Sequence, residues 1–204
     1  MMRITRIEPV TKTKYRVSIN EQFAFVVYKG ELSRFHLKEE SELTEDTYAE
    51  IKEVLLKRAK LRAMHLLNDM ARTESQLRDK LKIGGYPPEI TEAAIAYVKS
   101  FGYINDDAYI RSFIDSRKEK KSRREIYALL RQKGVDMNRA EEILEEMYEE
   151  YSDQEAIREL LRKKHWDFAC TDPKEKQKIY GYLVRKGFRY EDIRQVIQVC
   201  DWNA

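Results

Sequence analysis

The chain has 204 residues, room for one extended domain or two small ones, and carries 37% charged residues, 42% hydrophobic residues and a net charge of +3. With a mean hydropathy of −0.71 it is too polar for a membrane protein and too apolar for a disordered one. No stretch approaches the ~20 apolar residues of a membrane span, and the start MMRITRIEPV lacks a signal-peptide core. Two cysteines, Cys170 and Cys200, give no disulfide framework, so a reducing cytoplasm is the expected location.

Residues 1–45 form the first segment. Arg3–Glu8, Lys14–Asn20 and Phe23–Leu32 are rich in Ile, Val, Phe and Tyr, with alternation at Tyr15, Val17 and Ile19. Asn20-Glu21-Gln22 reads as a tight connection, so a β-hairpin with a third strand is predicted. A sheet this small needs the following helices to lean on.

From Thr44 the pattern is helical. Tyr48, Ile51, Val54 and Leu55 make one stripe that runs into Ala59, Ala63, Leu66, Leu67 and Met70, and Thr73 or Ser75 opens the next helix. A template then occurs three times, centred on Gly85, Gly134 and Gly187. An apolar residue stands eight before each glycine (Leu77, Ile126, Ile179) and another four before it (Leu81, Leu130, Leu183). A large apolar residue follows at once (Tyr86, Val135, Phe188). The glycine is the residue that lets a helix exit through the left-handed region. Ser122 with Glu125, and Asn138 with Glu141, fit N-cap signals for the two helices of the middle copy. Helices predicted over Asp106–Arg117 and Gln154–Lys164 complete the later units, each opened by acids that suit a helix N-terminus.

The predicted fold is therefore mainly α: three tandem three-helix, helix-turn-helix-like repeats (46–102, 103–151 and 152–204) behind a small N-terminal β-hairpin or sheet. A fifty-residue unit buries too little surface to stand securely alone, so stacking into an elongated, curved array is expected. A compact nine-helix globule is the competing arrangement.

Charge is segregated along the chain. Arg117 to Lys133 holds eight bases against two acids, and Asp136 to Glu155 holds nine acids against Arg139 alone. Residues 156–194 turn basic again. Such blocks predict one positive and one negative surface.

No catalytic constellation occurs, and no cofactor is expected. Gly84-Gly85 lacks the remaining glycines and the Lys-Ser/Thr of a phosphate loop. Asp106 and Asp107 are adjacent on a helix and point ~100° apart, which suits capping better than acid–base work. His36, His65 and His165 are scattered, and His165 with Cys170 is one pair without a second, too few for zinc.

Binding is the better prospect. The candidate DNA- or protein-contacting residues are Arg117, Lys118, Lys120, Lys121, Arg123, Arg124, Arg131, Lys133, Arg162, Lys163, Lys164, Arg185 and Lys186, with Tyr109, Tyr127, Trp166 and Phe188 interspersed. Lys120, Lys121, Arg123 and Arg124 read as exposed. Phe188, at its repeat position, reads as core. The third helix of the middle unit carries Glu141, Glu142, Glu145, Glu146, Glu149 and Glu150, a face that would repel a duplex. Sequence-specific reading of DNA is not expected, and a basic protein partner suits that face.

Particular residues carry a resemblance. They are Ser75-Gln76-Leu77, Lys80-Leu81 and Gly85-Tyr86; then Phe101-Gly102-Tyr103-Ile104-Asn105-Asp106-Asp107-Ala108-Tyr109; then Ile126 with Leu130-Arg131-Gln132-Lys133-Gly134-Val135. Together with Arg58, Ala59, Ala63, Leu66 and Leu67 upstream, this pattern resembles the RecX family of recombination regulators over about residues 55–200. The N-terminal strands fall outside it, and Asn105 stands where the family often has other small or acidic residues. The resemblance implies a cytoplasmic, monomeric, non-catalytic protein that lies in the groove of the RecA–single-stranded DNA filament. There it would limit extension, ATP hydrolysis and strand exchange, with some direct affinity for single strands and non-specific affinity for duplex. A stand-alone helical-repeat nucleic-acid-binding protein is the alternative that the residues alone leave open.

Overall fold

The structure, a computed structural model, describes residues 2–149, 152–168 and 172–198. Packing divides the chain into two units, Met1–Asn105 and Asp106–Ala204. The fold is mainly helical with a small N-terminal sheet, as the patterning predicts. Cys170 and Cys200, and with the first of them the pairing with His165, lie outside the described residues.

In the first unit, β1 (Met2–Pro9), β2 (Lys14–Ile19), β3 (Gln22–Tyr28) and β4 (Glu42–Leu43) make one antiparallel sheet in the order β3-β2-β1-β4. Asn20 and Glu21 close the β2–β3 hairpin with φ of 50° and 66°, the two positive angles of a type I′ turn. The sheet exceeds the expected hairpin by β4, whose two residues are too few for alternation to show. The predicted third strand also stops early. From Lys29 the chain winds into α1 (Lys29–Arg34), where the Glu31 carboxylate accepts the Tyr28 N–H at 2.7 Å. That bond satisfies a donor the helix start would otherwise leave open.

Three helices follow: α2 (Glu45–Asp69), α3 (Glu74–Ile83) and α4 (Pro88–Ser100). Of the two predicted starts, Thr73 is the cap of α3, in a reciprocal box with Gln76. Ile4, Val17, Phe25 and Val27 of the sheet share one core with Ile51, Leu55, Ala59, Leu77, Leu81 and Val98. Arg58 pins sheet to helix. Its guanidinium donates to both Glu31 oxygens at 3.2 and 3.0 Å and to the Val26 carbonyl at 3.0 Å, while lying 4.6 Å over the Tyr28 ring. Planar, fivefold donation of this kind is particular to arginine.

The second unit contains α5 (Asp106–Asp115), α6 (Arg123–Gln132), α7 (Met137–Glu149), α8 (Asp153–Lys163), α9 (Pro173–Arg185) and α10 (Tyr190–Gln198). Two cores form, one among α5–α7 and one among α8–α10. Helix α5 ends at Asp115, short of the predicted Arg117. The cap of α7 is Asp136, not Asn138: its Oδ1 accepts the N–H groups of Asn138 at 2.9 Å and Arg139 at 3.4 Å.

All nine apolar template positions are buried: Leu77, Leu81, Tyr86, Ile126, Leu130, Val135, Ile179, Leu183 and Phe188. The spacing has a local cause. Past Gly85 and Gly187, the Tyr86 N–H reaches back to the Leu81 carbonyl and the Phe188 N–H to the Leu183 carbonyl, both at 3.3 Å. This is the Schellman closure, in which the residue after the glycine packs on the residue five before it. The turn glycines sit at φ of 82°, 71° and 86° for Gly85, Gly134 and Gly187.

At two of them the space itself requires glycine. A Cβ on Gly85 would lie 2.3 Å from a methyl of Val26, and one on Gly187 would lie 2.6 Å from Ser122 Oγ. Gly102, at φ of 71°, has nothing within 4 Å of the same position. Gly102→Ala should therefore cost only the left-handed penalty of about 1 kcal/mol. Gly85→Ala adds an overpacking cost of roughly 1–3 kcal/mol, and urea denaturation of the two variants should separate them by that margin.

An ion network ties α3 to α4. Arg78 donates to Glu92 at 2.7 and 2.9 Å and to Glu74 at 2.8 Å, and Lys99 donates to Glu74 at 2.8 Å. Hydrogen bonds from Lys99 and then Arg78 hold the Glu74 carboxyl below its ordinary 4.5. A depressed carboxylate contributes stability above its unfolded pKa and loses it as pH falls through the folded value. Glu74→Gln should thus cost on the order of 1 kcal/mol at pH 7, and the gap from wild type should narrow as pH falls below the ordinary carboxylate range in paired denaturation curves.

Candidate nucleic-acid and protein interface

All thirteen candidate cations lie in the second unit, and the first group surrounds the link between α5 and α6. The link is wound rather than loose. The Lys118 N–H donates to the Ile114 carbonyl at 2.8 Å, and the N–H groups of Lys120 and Lys121 donate to the Arg117 carbonyl at 2.9 and 3.0 Å. The Arg117 guanidinium lies 3.7 Å over the Phe113 ring and donates to Ser116 Oγ at 2.6 Å.

Buried Ser122 then caps α6, accepting the Glu125 N–H at 3.1 Å. The reciprocal arm of the predicted box is absent, because the Glu125 carboxylate pairs with Lys121 instead. A second open donor, the Arg123 N–H, is taken by Asp153 Oδ1 from α8 at 2.9 Å. Burial pushes the Asp153 carboxyl above its ordinary value, against the smaller pull of that bond. With Gly187 set against Ser122, the first turn of α6 packs on the last three-helix group, and two of its open donors are satisfied by Ser122 and Asp153.

The expected exposure of the central cations needs correction. Lys120 and Arg124 are exposed, whereas Lys121 and Arg123 are half-buried, and Arg123 pairs with Glu145 at 3.5 Å. Lys118 pairs with Asp115 at 2.9 Å. Arg162 pairs with Glu159 at 3.3 Å, and Lys163 reaches Glu159 at 3.2 Å and Glu119 at 3.6 Å. Among the described residues, Lys120, Arg124, Arg131, Lys164 and Arg185 are the exposed candidate cations without an ion-pair partner. Lys133 is half-buried.

The acidic face of α7 is laced in the same way. Arg111 holds Glu146, and Arg139 holds Glu142 and Asp107, each at 2.6 Å. The ion pair of Arg123 with Glu145 joins the basic block of 117–133 to the acidic block of 136–155, so part of each block is neutralised by the other.

Two clefts remain. One, of about 600 Å³, is lined by Arg123, Arg124, Tyr127, Glu141, Arg189 and Asp192 among others. The second, of about 590 Å³, collects Lys164, Trp166, Lys178, Tyr182 and Arg185. There Lys164 Nζ lies 4.4 Å over the Tyr182 ring, with Lys186 5.8 Å from the same ring. Tyr109, Tyr127 and Trp166 are half-buried, and Phe188 is core.

No group of three or more His, Cys, Asp or Glu is placed to hold a metal ion among the described residues. Nor is any described helix long and apolar enough to cross a membrane. His65 is exposed, its Nδ1 3.8 Å from Asp69.

Models of the RecX three-helix domains match twice, the first domain at 59–97 and the third at 150–197. A regulatory protein RecX from Caldanaerobacter subterraneus subsp. tengcongensis is 32% identical, covering 97% of this chain and all of that protein. The chain belongs to the RecX family. Its members are regulatory proteins rather than enzymes. The RecX of Clostridium beijerinckii is 29% identical over 97% of the chain and 95% of its own length. A crystal structure of a regulatory protein RecX superposes with a TM-score of 0.62 at 26% identity, over 97% of this chain and 99% of that one. RecX from Lactobacillus salivarius shares the fold, with a TM-score of 0.61 over 74% of this chain. The full-length matches include the N-terminal strands, which lie outside the motif pattern that carries the resemblance.

Lys163, first as a donor and then as a nearby positive charge, holds the Glu159 carboxyl below 4.5. In Lys163→Gln an NMR titration of the carboxyl carbons should find Glu159 moved back up toward its ordinary value. An unmoved midpoint would mean the pair does not persist in solution.

Proposed function

We propose that this chain binds the RecA–single-stranded DNA filament, lies along its groove, and limits filament extension, ATP hydrolysis and strand exchange. The observation that carries this reading is membership in a family of regulators over 97% of the chain; on this reading three-helix groups over 46–102, 103–151 and 152–204 provide the binding surface. The partners are RecA and single-stranded DNA, in the cytoplasm. Lys120, Arg124, Arg131, Lys164 and Arg185 are the candidate cations best placed to meet phosphate, since a cation already paired with a carboxylate must surrender that partner first.

The test is RecA ATPase on single-stranded DNA with this protein added below one per RecA. A falling rate is expected, and an unchanged rate overturns the reading. Binding to bare and RecA-coated strands should favour the coated strand. A preference for the bare strand would point to a stand-alone nucleic-acid-binding protein.

A further inference from the structure

The unpaired cations of the first unit lie beside exposed aromatic rings. Phe101 and Tyr103, which flank the turn after α4, are 58% and 56% exposed. Their rings stack with centroids 5.9 Å apart and planes at 21°, and Tyr97 meets Phe101 edge-on at 5.0 Å. Large rings left this open to water in a cluster mark a binding surface more often than isolated ones do.

Helix α2 runs beside α4 in the same direction: Lys52 faces Glu89 at 4.0 Å, and eight residues further along each helix Lys60 Nζ lies 4.3 Å over the Tyr97 ring. Lys57 sits one turn earlier on the same side of α2. Among the described residues neither Lys57 nor Lys60 has a carboxylate partner, a condition that Lys120, Arg124 and Arg131 of the second unit share. The sequence explains why. Residues 54–68 contain Lys57, Arg58, Lys60 and Arg62 and no acid, and residues 93–105 contain no acid either. On α4 itself, Glu89 is engaged by Lys52 and Glu92 by Arg78.

We propose that this α2–α4 face is a stacking platform for single-stranded nucleic acid: unpaired bases lie on Phe101 and Tyr103, and the adjoining phosphates meet Lys60 and Lys57. The charge decides between occupants. An acid-free, cation-bearing rim complements a polyanion, and flat rings presented at an edge accept any base through its π-face without reading sequence. The assignment rests on the reading that the protein works on single-stranded DNA, and it locates that contact outside the thirteen cations of the second unit.

Fluorescence anisotropy of the full-length protein with a labelled oligo-dT strand tests it. Phe101→Ala with Tyr103→Ala should weaken binding about tenfold or more, with the salt dependence unchanged. Lys57→Gln with Lys60→Gln should instead flatten the slope of log K against log salt by about 1.4, two cations at roughly 0.7 each. Phe101→Trp, which keeps a stacking surface, should retain the affinity, and thermal melts of all variants should match wild type because the rings are exposed. Oligo-dT affinity that is absent in wild type, or unchanged in the double-alanine variant, overturns the platform. So does loss of binding to RecA-coated strands alone, which would make this face a protein contact. The RecA ATPase test is read separately. If the variant still restrains RecA while oligo-dT binding is unaltered, the platform fails and the regulator reading stands. If wild type leaves RecA untouched but loses oligo-dT on ring removal, the reverse holds.

Discussion

Two glycines without room for a methyl group fasten the three-helix groups to what they pack against. Gly85 lies under Val26 and its carbonyl accepts the Val26 N–H at 3.2 Å, so the first turn is joined to β3 by backbone and by contact. Gly187 lies against Ser122 and the first turn of α6. Each glycine therefore does two things at once. Its positive φ ends a helix, and its missing side chain lets a neighbour sit where a Cβ would be. The surrounding apolar template can be read as the local requirement of the Schellman turn, while the identity of the neighbour is a tertiary fact.

That distinction explains what was legible in the sequence. Positions eight before, four before and one after each glycine are fixed by helix geometry and turn closure, so the apolar template visible in the sequence coincides with nine buried side chains. Strands β1 to β3 announced themselves through alternation and β-branched residues. The two-residue β4 and the six-residue α1 did not, because neither spans a full period of any pattern. Helix α1 even contains Gly30, a residue that argues against helix, and it is held by the Glu31 cap and by Arg58 from a distant helix. The cap of α7 was misplaced by two residues for a simpler reason: Asp136 and Asn138 are both good caps, and only the direction of the Asp136 carboxylate distinguishes them.

The candidate cations were legible as residues and not as surfaces. A block such as Arg117–Lys133 looks like a patch when its neighbours in space are unknown. Asp115, Glu125 and, from α7, Glu145 then pair with Lys118, Lys121 and Arg123. The α2–α4 face is the opposite case. Its lysines are fewer and never form a run, and neither Lys57 nor Lys60 forms an ion pair among the described residues. Counting bases along the chain therefore says little about which region presents charge, because electrostatic potential depends on pairing and distance rather than on sequence density.

The wound link between α5 and α6 has one further consequence. Arg117, Lys118, Lys120 and Lys121 offer four cleavage positions to a trypsin-like protease within five residues, and on composition alone this would be the first place to be cut. Proteolysis requires the chain to be drawn out straight in the enzyme's cleft. Here the amides are tied back to Ile114 and Arg117, and Arg117 is stacked on Phe113. Nicking must wait for that segment to open, so digestion there reports local unfolding rather than accessibility.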